Sequence, residues 1–229
     1  VTVVLDELTV ADAPSAWREC GFEVEDDRCV VGGVRIRFAP EEGKNGLTGW
    51  SLSGVSSTEL DGLETSRGGE FTHFSPHIGD KCVDPASEHP NGIAAIDHVV
   101  AISSDLDRTV AALRAAGLDL RRVREEPTPA GAPRQAFFRL GPTILEVVQE
   151  PAEATERHGG NRPAFFWGLA FVAPDLERTV AFLGEDRVSA IRDAVQPGRR
   201  IATLRRGAGL SVPVALMTPR DRESAKSVE

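Results

Sequence analysis

Apolar and polar positions along the chain fall into short blocks, and two of those blocks are copies of each other. The run Ile96-Asp97-His98-Val99-Val100-Ala101-Ile102 precedes Ser104-Asp105-Leu106-Asp107-Arg108-Thr109-Val110-Ala111. Seventy residues later, Trp167-Gly168-Leu169-Ala170-Phe171-Val172 precedes Pro174-Asp175-Leu176-Glu177-Arg178-Thr179-Val180-Ala181. Agreement over that length marks an internal duplication. Each apolar run is short and predicts a strand. Each following segment predicts a helix. Ser104 suits an N-cap and Pro174 a first turn, and the acids that follow face the positive end of the helix dipole. Leu106, Val110, Leu113 and Leu118 fall near helical spacing, and Gly117 and Gly184 are stop signals.

Three strand-like runs follow the first helix, over 118–123, 135–140 and 143–149. A Pro- and Gly-rich loop separates the first two, and Gly141-Pro142 makes a tight turn before the third. The second copy offers 188–194, 200–205 and 211–217. Each copy is therefore a β-α-β-β-β module, at 93–151 and 162–219. A fainter module occupies the start of the chain: a strand over 3–10, a helix over 13–20, and strands over 22–24, 28–31 and 34–38. A further run from Gly49 to Val55 begins like a fourth module. The expected organisation is a degenerate first module with an extra strand at 1–55, a loop or linker at 56–92, the two modules, and a polar tail at 220–229.

Composition narrows the partners. The 229 residues are 41% hydrophobic and 27% charged, with a net charge of −9, which is the profile of a globular chain with a real core. Basic residues are almost all arginine and are scattered, so a nucleic-acid backbone is not the expected partner. The acidic surface suits a cationic ligand in principle, although ordinary solubility accounts for it. No apolar run reaches the length of a membrane span, and the opening residues carry no basic segment with a cleavage-like site. Cys20, Cys29 and Cys82 form neither a metal knuckle nor an even disulfide set, so the expectation is buried or idle thiols and a cytoplasmic protein.

Alternation supplies the candidate chemistry. Ile96, His98, Val100 and Ile102 share one strand face, and Ile144, Glu146 and Val148 share another. A charge among apolar neighbours needs a partner: a metal, a protonated imidazole or a ligand group. His73 and His77 are four residues apart, but Pro76 argues against a helix that would align them; they, His89 and His158 read as loop histidines. Trp50, Phe165, Phe166 and Trp167 read as core or pocket wall. The elbow, phosphate-loop and zinc-helix motifs are absent from the sequence.

Asp97-His98-Val99-Val100 with Asp105-Leu106, followed by Phe137-Phe138-Arg139-Leu140-Gly141 and Ile144-Leu145-Glu146-Val147-Val148, resembles the glyoxalase/bleomycin-resistance/extradiol-dioxygenase (vicinal oxygen chelate) superfamily. The resemblance implies an α+β fold, with tandem βαβββ modules forming curved mixed sheets around a cavity. It also implies metal ligands from the first and last strands of each paired module. His98 and Glu146 occupy both positions in the first copy. In the second, Gly168 and either Val214 or Ala215 replace them. In the first 40 residues Glu7 matches His98 and Arg37 matches Glu146, a pair suited to a salt bridge.

Two functions follow as expectations. The first is binding of a small organic metabolite or antibiotic without metal chemistry or cofactor, with His98, Val100, Phe138, Glu146, Trp167 and Ala170 lining the site. The second is a divalent-metal enzyme (Zn, Ni, Mn or Fe) acting as lyase, isomerase or dioxygenase. In it His98 and Glu146 are ligands, Glu146 moves a proton, and the missing ligands come from water, the linker or a second subunit of a homodimer. A degenerate repeat serving only as an interaction surface is the third reading.

Overall fold

The computed structural model describes residues 2–68, 89–128 and 131–220. The first segment builds a sheet of its own. Strand β1 (Val4–Val10) leads into helix α1 (Pro14–Glu19), then β2 (Arg28–Val31), β3 (Val34–Phe38), β4 (Leu47–Ser53) and β5 (Thr65–Arg67), in the spatial order β2-β3-β1-β4-β5. The expected strand over 22–24 is not formed; only an isolated bridge between Glu25 and Arg28 precedes β2. Strand β5 falls inside the stretch expected to be a loop. His73, His77 and Cys82 lie outside the described residues, as do 221–229 of the tail.

The duplicated modules build a larger sheet. The first runs β6 (Ala95–Ser103), α2 (Leu106–Ala115), β7 (Asp119–Arg124), β8 (Gln135–Leu140) and β9 (Thr143–Gln149). A short helix α3 (Ala152–Arg157) joins it to the second module. That module runs β10 (Phe165–Val172), α4 (Leu176–Leu183), β11 (Arg192–Asp193), β12 (Arg200–Thr203) and β13 (Val214–Met217). The order is β11-β12-β13-β10-β6-β9-β8-β7. Within each module the first strand pairs in parallel with the last, and the two first strands pair antiparallel at the centre. The small sheet repeats this plan: β1 and β4 are the antiparallel centre, flanked in parallel by β3 and β5. Strands β4 and β5 are therefore the first and last strands of a fourth module whose middle is missing among the described residues. Both mixed sheets are curved and unclosed.

Helices cover one face only. Leu106, Thr109 and Leu113 of α2, and Leu176, Thr179 and Leu183 of α4, are buried against a core that includes Val99 and Ala101. Each such aliphatic side chain stabilises the fold by about 1.5–3 kcal/mol. The N-caps are Asp105 and Asp175, whose carboxylates accept from the amides of Arg108 and Arg178 at 3.1 and 2.9 Å. Ser104, expected to cap, instead bonds Asn161 and the carbonyl of Arg162, because the hydroxyl one residue earlier faces the inter-module connection.

The small sheet joins from the helix-bearing side. Trp50 of β4 packs edge-on against Phe166 of β10, ring centroids 5.0 Å apart, and Phe166 stands opposite Ala101. Trp17 of α1 is fully buried against Phe22, Phe38 and Phe171. The other face of the large sheet carries no helix. We call it the open face. No helix among the described residues is long and apolar enough to cross a membrane.

Candidate functional site

Strand pairing puts His98 and Glu146 on the open face of adjacent parallel strands. Glu146 stands beside Val100, and His98 beside Ile144. The imidazole Nε2 lies 3.6 Å from Glu146 Oε2, with side chains only 12% and 15% exposed. Gln135 of β8, also buried, donates its amide to Glu146 Oε1, and Phe137 stands directly opposite Glu146. Burial pushes the Glu146 carboxyl above its ordinary value, against the pull of His98 and of the Gln135 hydrogen bond.

The other ring edge is fixed from behind. His98 Nδ1 lies 2.8 Å from Asp97 Oδ2. A register shift between Ala170 and Phe171 gives β6 an extra residue at this point, which lets neighbouring side chains on a strand reach each other. Asp97 is also gripped by the guanidinium of Arg199 at 2.8 and 3.2 Å, both groups about 5% exposed or less. Burial alone would raise Asp97, but hydrogen bonds from His98 and Arg199 and their charge hold it well below the usual carboxylate range. An ionised carboxylate only accepts, so the Nδ1–H of His98 donates to Asp97 and the ring turns its Nε2 edge to Glu146. A cavity of about 240 Å³ opens beside this network, lined by Gly32, Ala95, Asp97, Thr143 and Arg220 among others. It lies at the end of β6, next to the His98–Glu146 pair and not over it.

Of the residues expected to line the site, His98, Val100, Glu146 and Ala170 share the open face, Ala170 standing opposite His98. Phe138 lies on the other face: it is fully buried opposite Leu145 and Leu120, and its neighbour Phe137 takes the place beside Glu146. Trp167 is the unpaired residue of a bulge on β10 and is 51% exposed. Gln135, Phe137, Asp97 and Arg199 were not anticipated.

The second module places no donors in the equivalent positions. Pairing puts Ala215, not Val214, opposite Ala170, as Glu146 stands beside Val100. Gly168 occupies the position of His98, and it is closed: a Cβ there would lie 2.7 Å from the Pro213 carbonyl oxygen, which accepts from the Leu169 amide. The small sheet is also without a free donor pair. Glu7 is clamped by Arg35 and Arg37, each at 3.1 Å, and a Cβ on Gly49 would press on the Glu64 carbonyl at 3.3 Å. Among the described residues no group of three or more His, Cys, Asp or Glu side chains is placed to hold a metal ion. His98 and Glu146 are thus two donors from a single module, and they do not fit the four-position centre that the fold family implies.

The remaining candidates have local roles. His89 is buried, not exposed in a loop: it accepts from the Glu23 amide and packs on Phe22. Burial lowers its pKa and pushes the nearby Cys29 thiol up to about 12. Cys20 is buried as well. His158 bonds Glu150 at 2.8 Å on the connection between modules.

Tandem βαβββ modules on an open mixed sheet, with the buried His98–Glu146 pair on its helix-free face, define a class of fold. The sequence pattern of the Glyoxalase/Bleomycin resistance protein/Dioxygenase superfamily matches residues 95–218, more than half of the chain, and the protein belongs to that superfamily. Among solved structures, a xylose isomerase-like TIM barrel/4-hydroxyphenylpyruvate dioxygenase fusion protein aligns with 98% of this chain and 51% of its own. The TM-score is 0.58 at 12% identity. Methylmalonyl-CoA epimerase from Mycobacterium tuberculosis aligns with 62% of this chain and 98% of its own, with TM-score 0.48 and 19% identity. At 12% identity the first of these speaks for shared fold alone. No curated protein matches the sequence.

Proposed function

We propose that the protein binds a small organic molecule on the open face of the large sheet without metal chemistry, His98 and Glu146 being the polar anchors. The observation that carries this reading is Gly168. The second first-strand position has no room for any side chain, and its partner is Ala215, so the metal centre is closed off on one side. What remains is a surface of Val100, Phe137 and Ala170 with a few convergent polar groups, the usual make-up of a small-molecule site. In such a site the Nε2 edge of His98 and the carboxyl of Glu146 offer two adjacent polar contacts to a ligand.

A second reading keeps the metal. The 3.6 Å between His98 Nε2 and Glu146 Oε2 is a separation that one divalent ion can bridge, given bonds of about 2.0–2.2 Å. Asp97 behind His98 is the carboxylate that commonly orients a ligating imidazole. The remaining donors would come from solvent, from residues 69–88 or from a second copy of the chain. Elemental analysis of purified protein separates the readings. The expected metal content is far below one equivalent and unchanged in His98→Ala. One equivalent of a divalent ion, lost in that variant, would overturn the metal-free reading and establish the second.

A further inference from the structure

The open face beside Glu146 is cationic, in a chain whose net charge is −9. Strand β7 continues the open face outward from β8: Arg122 stands opposite Phe137, and Arg124 opposite Gln135. Arg139 of β8 stands opposite Ile144 on the same face. Among the described residues none of these three arginines forms an ion pair with a carboxylate, whereas Arg134, in the loop just before β8, is held by both Asp107 and Glu125. The guanidinium of Arg122 stacks over the Phe137 ring, 5.1 Å from its centroid, which holds its planar donor fork in place and leaves the N–H edge for a ligand. Arg124 lies near enough to Glu146 to favour that group's charged form. Among the described residues the acids nearest this patch are Glu146 itself, Asp97, which is paired with Arg199, and Asp119, which is engaged with Arg121 at 3.3 Å.

We propose that the ligand of this face is a small aromatic carboxylic acid, its carboxylate held by Arg122 and Arg124 and its ring laid on the apolar floor formed by Phe137, Val100 and Val148. Arginine forks match carboxylate geometry, and a local cationic patch on an acidic protein selects ligand charge more sharply than net charge does. The inference rests on reading the open face as the ligand site, and it reverses the ligand charge that the overall composition suggests.

Three probes of one shape test it: 2-naphthoate, neutral 2-naphthamide and cationic 2-naphthylmethylamine, titrated against the whole chain by fluorescence anisotropy. The expected order is naphthoate tighter than naphthamide by at least about ten-fold, with the amine weakest. The double variant Arg122→Gln/Arg124→Gln brings naphthoate to within about two-fold of naphthamide, and Arg124→Glu inverts the order in favour of the amine. Circular dichroism confirms folding, since all three arginines are partly or fully exposed. Naphthoate and naphthamide binding equally, both weakened by His98→Ala, would sink the acid inference and leave the binding site standing. Naphthoate preference indifferent to the arginine variants would sink it too. Absence of binding by every probe would count against both.

Discussion

The two halves of the large sheet share a backbone plan and differ in what they present on the open face. The first module offers an imidazole, a carboxylate, an amide and an aromatic ring: His98, Glu146, Gln135 and Phe137. At the matching positions the second offers Gly168, Ala215, Ile201 and Thr203. On the helix-bearing face the copies agree closely. Asp105 and Asp175 cap their helices, Thr109 and Thr179 each donate to the carbonyl of the capping aspartate at 3.1 Å, and Leu113 and Leu183 are buried. Packing and capping constrain the helix-bearing side of both modules in the same way, and it is on the open side that the two copies have diverged.

The largest expected effect breaks the better-equipped half. Asp97→Ala leaves Arg199 buried without its carboxylate and removes the anchor of His98, and breaking a buried pair from one side costs about 3–5 kcal/mol. Urea unfolding measures it, and a loss under about 1 kcal/mol would show that the pair is not holding the module together. The next effect probes the closed half. Gly168→Ala forces a Cβ against the Pro213 carbonyl, and overpacking of this kind costs about 1–3 kcal/mol. Gly168→His should lose as much stability and still fail to raise metal content. Tight binding of one zinc equivalent by that variant would mean the second half is merely unfurnished and not closed.

The pH dependence of stability separates the two acids of the first half. Burial raises Glu146 in the folded state. Folding therefore binds a proton there, and the associated stability, complete below the ordinary value of 4.5, is lost as pH rises through the folded value. Asp97 runs the other way. Its folded value is depressed, so its contribution is present above 3.8 and is lost as pH falls. Glu146→Gln should flatten the decline on the alkaline side of 4.5 and leave the acid limb in place. One proton accounts for at most about 1.4 kcal/mol per pH unit. Identical slopes in wild type and variant would place Glu146 in ordinary solvent.

The legible parts of the sequence were those under packing constraint. The repeated helix start announced the duplication because caps and buried leucines cannot drift without loss of stability, and strand alternation put His98 and Glu146 on usable faces. The site around them was read less well, for reasons of register. The tight Gly141-Pro142 turn pairs Leu140 with Thr143; counting outward from it puts Phe137 beside Glu146 and sends Phe138 into the core. The bulge that exposes Trp167 and the shift that brings Asp97 to His98 have no local signature, since each depends on how β10 lies against β6. Arg199 is 102 residues from Asp97, and no spacing argument joins them. The weak fourth module was hidden because β5 has only three residues.

The smallest effects test the face on which the modules agree. Asp105→Ala and Asp175→Ala each remove a carboxylate that satisfies one helix amide, at 3.1 and 2.9 Å, and loss of such a cap costs typically about 1 kcal/mol. Both helices also begin with an acid in the first turn, Asp107 and Glu177, so the dipole contribution that remains is alike in the two. The expectation is therefore near-equal losses, within about 0.5 kcal/mol, and additive in the double variant because the helices belong to separate modules. Thermal and urea unfolding of the three variants measures this. A loss confined to one helix would mean that the second copy has begun to relax on its structural side as well, and that what now separates the two halves is stability and not chemistry alone.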